Sequence, residues 1–334
     1  MSMRSRGNGS LGAAVAIAIA CGCDGPQSAL APAGEGASRI ADLFWVMIVG
    51  TAVIWFVVTA LAIYAVYRRE SPSPPSEKRL RYLVVGGGVI VPALLLAVLL
   101  THGLATLPGY LAPAPQGSLT VHVTGHQWWW RVRYPQAGAD PIELANEIHV
   151  PAGAPVELEL DSGDVIHSFW VPSLGGKVDM IPGHRTRLRL EPTKVGVYRG
   201  ACAEYCGTSH ALMAFYLVVE AKEDFERWLA KQAEPVSTPT DGQALRGRDR
   251  FLANGCGGCH SIRGTEARGV IGPDLTHVGG RISIGAATLG ADAASFRRWI
   301  GRTKEVKPNV HMPSFGMLSP EDLDAIAAYL ESLK

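Results

Sequence analysis

Gly200-Ala201-Cys202-Ala203-Glu204-Tyr205-Cys206-Gly207-Thr208-Ser209-His210-Ala211-Leu212-Met213 places two thiols, an imidazole and a thioether on one short stretch of chain. An earlier segment, Asp164-Val165-Ile166-His167-Ser168-Phe169-Trp170, adds a second imidazole. One Cys, two His and a weak axial Met are the soft and borderline ligands that suit copper. The second cysteine is the informative extra. Cys202 and Cys206, four residues apart on one loop, can bridge a pair of copper ions, leaving His167 and His210 to complete one ion each. Met213 is then axial on one copper and a backbone carbonyl near Glu204 on the other. Sharing two thiolates spreads one electron over two metals and limits geometric change on transfer. The competing reading is a Cys202–Cys206 disulfide in an oxidising compartment. Two histidines and Met213 at this spacing weigh against it, and Met213 also disfavours structural zinc.

On either side of this segment, Leu119, Val121 and Val123, then Val156, Leu158 and Leu160, then Thr186, Leu188 and Leu190 follow a period of two. Pro151-Ala152-Gly153 and Pro182-Gly183 punctuate the runs, the pattern of an all-β sandwich or barrel over residues 115–222. Residues 223–233 read as a short helix, and the stretch to residue 240 as a linker of limited stiffness. From residue 241 to 334 the texture is helical with Gly-rich loops, closing in a helix capped at Ser319-Pro320-Glu321-Asp322.

Upstream, residues 40–67 and 82–104 are almost free of charge, and each exceeds the ~20 residues that cross a bilayer as a helix. Two transmembrane helices within residues 24–110 are expected. The loop between them carries Arg68, Arg69, Lys78, Arg79 and Arg81 against Glu70 and Glu77, which places it in the cytoplasm and both termini outside. Residues 1–23 have Arg4 and Arg6, an apolar run and then small residues, the layout of a secretory leader. Ala20-Cys21-Gly22-Cys23 resembles a lipoprotein cleavage motif with Ala20 where Leu is usual; Cys23 or Cys21 is the acceptor, and cleavage without lipid is the alternative. Over 334 residues, 47% hydrophobic and 18% charged agree with a membrane part. A net charge of +1 argues against a nucleic-acid binder. The six cysteines fall into three close pairs, which is no general disulfide framework.

The copper segment, together with Gly125-His126-Gln127-Trp128-Trp129-Trp130 and the two-helix hairpin, resembles subunit II of the haem-copper cytochrome c oxidases over residues 24–222. That resemblance implies a cupredoxin fold and a binuclear CuA centre at His167, Cys202, Glu204, Cys206, His210 and Met213. It further implies that electrons reach CuA through Trp128, and that the Glu204 carboxylate helps bind magnesium at the interface with subunit I. Two departures stand out. Where the family places a carboxylate seven residues before Pro92, this chain has Val85. Where it often has acidic or neutral residues after the tryptophans, this chain has Arg131 and Arg133, which puts external cytochrome docking at that spot in doubt.

Asn254-Gly255-Cys256-Gly257-Gly258-Cys259-His260 is the C-x-x-C-H signal of c-type haem, with two thioether cysteines and His260 as proximal ligand. A thioredoxin-like pair or half a zinc site lacks support, since no βαβ pattern surrounds it and no second C-x-x-C follows. Asn309-Val310-His311-Met312-Pro313-Ser314-Phe315 offers Met312 as the sixth ligand, with Met317 and His311 as rivals. This part resembles the small class I cytochromes c. The resemblance implies an all-α domain whose helix at residues 243–253 packs on the helix holding Tyr329 and Leu330, and a haem-edge turn at Gly272-Pro273-Asp274-Leu275.

Together the parts imply subunit II of a caa-type oxidase in a bacterial inner membrane, with both metal domains on the periplasmic side. Its partners are subunit I, subunit III, and a donor such as a cytochrome c or the bc complex. Electrons pass from the donor to haem c, to CuA and on to subunit I, where oxygen is reduced with proton translocation. A carrier for a different terminal reductase would not need two membrane helices, and a quinol oxidase subunit would have lost Cys202, Cys206, His167 and His210.

Overall fold

The computed structural model describes residues 25, 27–67 and 76–334. The expected leader with Cys21 and Cys23, and the loop residues Arg68, Arg69 and Glu70, lie outside the described residues. The chain divides into two compact units, one being Arg39–Ala112 and the other the remaining described chain.

The smaller unit is helical: α1 (Glu35–Tyr67, shared with the other unit at its start), α2 (Glu77–Arg81), a π-helical stretch Tyr82–Ile90, and α3 (Val91–Leu111). Two continuous spans of 33 residues each are long and apolar enough to cross a membrane. Both outrun the expected 40–67 and 82–104. Glu35 sits in the first turn of α1, where a carboxylate favours the helix N-terminus. Glu77, Lys78 and Arg79 are good helix formers that extend the second span past its apolar edge. Trp45, Phe56, Val57, Leu96 and Val98 are all exposed; apolar residues on every side have no protein core to enter, and a helix satisfies its own backbone polar groups in lipid. The π-helical stretch covers Val85 and Gly86-Gly87-Gly88.

The larger unit begins with ten strands: β1 (Leu119–His126), β2 (Trp129–Gln136), β3 (Ala139–Ala145), β4 (Glu147–Pro151), β5 (Val156–Ser162), β6 (His167–Trp170), β7 (Val178–Met180), β8 (Thr186–Leu190), β9 (Gly196–Cys202) and β10 (Ala214–Glu220). They form two sheets, ordered β3-β2-β1-β5-β8 and β4-β10-β9-β6-β7. The alternation seen in the sequence sets the register. Val121 lies opposite Leu158 on a parallel partner, and Leu158 opposite Leu188 on an antiparallel one, so Val121, Val123, Leu158 and Leu160 share the buried face. Trp130 fills the core between the sheets, edge-on to Phe169 and Phe215 at centroid distances of 5.8 and 5.1 Å.

After β10 come α4 (Lys222–Ala233), α5 (Gly242–Ala253), the short ribbon β11 (Ser283–Ile284) and β12 (Leu289–Gly290), α6 (Ala293–Gly301), α7 (Thr303–Val306) and α8 (Pro320–Ser332). Asp241 caps α5 by accepting from the backbone N–H groups of Gln243 and Ala244, and Ser319 caps α8 by accepting from Asp322 N. Helices α5 and α8 cross at Gly247, where a Cβ would overlap the carbonyl of Ala325 and the side chain of Tyr329. Phe251 meets Tyr329 edge-on one turn away. The stretch at 234–240 is less free than its composition suggests. Val236 N donates to Arg263 O (3.2 Å) and His277 Nε2 to Glu234 O (3.0 Å), and Val236 packs on the core of the helical domain. The sandwich and the helical domain therefore belong to one compact unit.

Candidate copper and haem sites

The end of β9 presents Cys202, the loop after it presents Cys206 and His210, and the start of β6 brings His167 from a neighbouring strand of the same sheet. Among the described residues, His167, Cys202 and Cys206 hold one nitrogen and two sulfurs within 4.8 Å of one another. Cys202 Sγ is 3.8 Å from Cys206 Sγ and both thiols are free, so the disulfide alternative is not adopted. His167 Nδ1 is 3.8 Å from Cys202 Sγ, His210 Nδ1 is 3.5 Å from Cys206 Sγ, and Met213 Sδ is 3.7 Å from Cys206 Sγ. The Glu204 carbonyl oxygen is 3.2 Å from Cys202 Sγ, whereas its exposed carboxylate stands 3.9 Å from Lys177 Nζ. The hydrogen bond between the thiols holds Cys202 well below the ordinary thiol range and pushes Cys206 up. Two buried thiols, two imidazoles, a thioether and a carbonyl converging without a disulfide fit a copper pair, because thiolates bind copper once deprotonated.

Neighbouring groups orient these side chains. Asp164 Oδ1 accepts from His167 Nε2 at 2.7 Å, and Oδ2 accepts from Gln127 N at 2.6 Å. Burial alone would raise the Asp164 pKa, but these hydrogen bonds and one from Val165 N hold it below the usual carboxylate range. The ionised carboxylate fixes the tautomer of His167 with Nδ1 turned to Cys202. Trp128 is 5% exposed and donates Nε1–H to Cys206 O at 2.9 Å, alongside Gln127 Nε2 at 2.7 Å. Gly207, at φ +110°, lets both side chains approach, since a Cβ there would come within 3.1 Å of them.

Trp128 also lines a cavity in the helical domain, together with Cys256, Cys259, His260 and Met312. His260 Nδ1 donates to Pro273 O at 2.8 Å, leaving Nε2 as the available ligand nitrogen, and burial lowers its pKa so that the neutral imidazole prevails. His311 also lines the cavity, whereas Met317 is 78% exposed and does not. Arg281 Nε and Ser283 Oγ lie buried on residues of this wall without a hydrogen-bond partner among the described residues. An apolar cavity with two thiols, an imidazole, a thioether and unsatisfied donors suits a haem, whose carboxylate edge would take those donors.

Arg131 explains one of the two departures. It pairs with Glu143 at 2.7 Å, and its Nη2 donates to the carbonyls of Val270 (2.8 Å) and Ile271 (3.3 Å). The side chain that made external docking doubtful holds the chain's own helical domain. Arg133 also turns to Glu143, at 2.9 Å. Asp164, Gln127, Arg281, Ser283 and Lys307 carry no role in the sequence reading. Only Asp164 had a local signal, a carboxylate three residues before a candidate ligand histidine; Gln127 and Lys307 reach segments far away in sequence, and Arg281 and Ser283 stand out only by their burial on the cavity wall.

A family model described as cytochrome C oxidase subunit II, periplasmic domain, matches residues 136–221, and one described as cytochrome c matches residues 244–334. Cytochrome c oxidase subunit 2 of Alkalihalophilus pseudofirmus is 36% identical over 331 residues, spanning 94% of this chain and 93% of that relative. The protein of the same name in Bacillus subtilis is 28% identical over 337 residues, with 94% of each chain covered. Among solved structures, the periplasmic domain of subunit II of cytochrome oxidase (CoxB) of Bradyrhizobium japonicum is 30% identical. It covers 36% of this chain and 96% of that one, with a TM-score of 0.34.

Proposed function

Because the chain belongs to the cytochrome c oxidase subunit II family, with a cytochrome c domain after the copper domain, we propose that it relays electrons from a donor to subunit I. Haem and copper supply the one-electron chemistry when bound, and oxygen is reduced in the partner subunit. The observation that carries this reading is Trp128, whose indole N–H binds the Cys206 carbonyl of the proposed copper loop while the same residue lines the cavity proposed for the haem.

Cys256 and Cys259 would hold the haem through thioethers, and His260 and Met312 would hold its iron. Cys202, Cys206, His167, His210, Met213 and the Glu204 carbonyl would hold two coppers. The exposed Glu204 carboxylate is free to turn from Lys177 toward a magnesium ion shared with subunit I. Asp164 keeps His167 in its liganding tautomer, and the buried surroundings of Cys202 and Cys206 exclude water. The two membrane spans would anchor the chain in the inner membrane, with the loop at 68–76 cytoplasmic and both metal domains periplasmic. Subunit III and a cytochrome c or bc complex are the further partners proposed. A carrier for another reductase has no evident use for those spans.

His210→Ala in the assembled oxidase tests the direction of flow. Reduced cytochrome c should still reduce the haem of the variant, while oxygen uptake stops. Uptake at the wild-type rate would overturn the assignment.

A further inference from the structure

Lys307 is 1% exposed although its side chain ends in an amino group, and burial pulls its pKa down to about 7. Its Nζ donates to three backbone carbonyls: Trp128 O at 2.6 Å, Leu212 O at 2.8 Å and Gly285 O at 3.0 Å. No carboxylate pairs with it among the described residues. Three acceptors match the three donors of an ammonium, and they come from three separate places. Trp128 is the aromatic shared by both sites, Leu212 lies between His210 and Met213 in the copper loop, and Gly285 is part of the haem-cavity wall.

The residues that follow continue the same contact. Pro308 O accepts from Ser209 Oγ at 2.6 Å, Asn309 Nδ2 donates to Thr208 Oγ1 at 3.0 Å, and Val310 packs against the core of the sandwich. Residues 307–310 lead directly into Met312. The strand of chain that delivers the proposed haem ligand is thus laid along residues 208–212, which include the proposed copper ligand His210 and lead into Met213. Buried donors and acceptors of this kind are costly to leave unmade, so the seam has one favoured seating.

We propose that Lys307 is a positioning residue for electron transfer within the chain, clamping the Met312 loop to the copper loop across Trp128. The inference rests on the relay reading above. A tether alone keeps two domains at high local concentration without choosing their orientation; the three-way clamp chooses it. The partner this surface takes is therefore the chain's own haem domain, and electrons from outside enter at the haem.

The test uses the assembled oxidase with Lys307→Met, a side chain of similar length with no donors. Flash reduction of the haem is followed by the appearance of reduced copper. The variant should keep wild-type haem and copper absorption and accept electrons from reduced cytochrome c at the wild-type rate. Its haem-to-copper transfer should fall roughly tenfold and become sensitive to solvent viscosity, as expected when redocking limits the step. Transfer at the wild-type rate in a variant with intact spectra would overturn the clamp. If Lys307→Met does not assemble, the Ser209→Ala, Asn309→Ala double variant loosens the far end of the seam. It should slow transfer in the same sense, and no slowing would count against the clamp. Absence of haem-to-copper transfer in the wild type would instead overturn the relay reading itself.

Discussion

Asp164 shows how one carboxylate outside the proposed ligand set can support the proposed copper site. It fixes the His167 ring from the far side at 2.7 Å and, through Gln127 N at 2.6 Å, ties this proposed copper ligand to the segment carrying Trp128. Asparagine is nearly isosteric but carries no charge and can present an N–H in place of an acceptor, so the ring loses the partner that selects its tautomer. Loss of such a partner typically weakens metal binding about 10–100-fold. Asp164→Asn should therefore lose copper to a competing chelator at correspondingly lower chelator concentration, with haem content unchanged. Equal resistance to the chelator would show that His167 needs no such support.

At the scale of elements, the helical domain depends on the close crossing of α5 and α8. Gly247 faces the Ala325 carbonyl and Tyr329 with no room for a methyl group, and Phe251, Ile326 and Leu330 seal the crossing on either side. A larger residue must push backbone against backbone, which costs about 1–3 kcal/mol. Gly247→Ala should lower the stability of the haem domain by that amount in denaturant unfolding followed at the haem band. The copper absorption should hold until the sandwich itself unfolds. A neutral effect would mean that the helices can separate without loss.

Across the whole molecule, His149 is a node between layers. It lies in β4, with Glu147 Oε1 at 2.9 Å from Nε2 and Glu220 Oε2 at 3.1 Å from Nδ1, and its ring stacks on Trp228 of α4 at 3.8 Å. Glu147 Oε2 also accepts from Ile282 N of the helical domain at 2.7 Å. Burial is the largest influence and pulls the His149 pKa down, but the two carboxylates more than offset it and the net shift is upward from 6.5. A raised folded-state pKa gives stability that is fully present below the unfolded value and is lost as pH rises through the folded one. The stability difference between the wild type and His149→Gln should thus be largest below pH 6.5 and shrink at higher pH. Thermal unfolding across that range measures it, and a difference that grows with pH would contradict the sign.

Much of this protein was legible in its sequence because the signals are local. Apolar runs define the two spans, the period of two in Val121, Val123, Leu158 and Leu160 defines the sandwich face, and C-x-x-C-H and the Cys202 to Met213 segment carry most of the proposed ligands. Each follows from backbone periodicity or from chemistry within one loop. What tertiary structure alone decided is how the two metal domains meet. Arg131, which in the sequence weighs against external docking, holds the carbonyls of Val270 and Ile271, and nothing in the sequence around Lys307 marks it as buried. Its acceptors at Trp128, Leu212 and Gly285 are backbone carbonyls, identical at every residue and brought together only by folding. No side-chain pattern along the chain can encode such a partner, so the clamp across the copper and haem loops exists only in three dimensions.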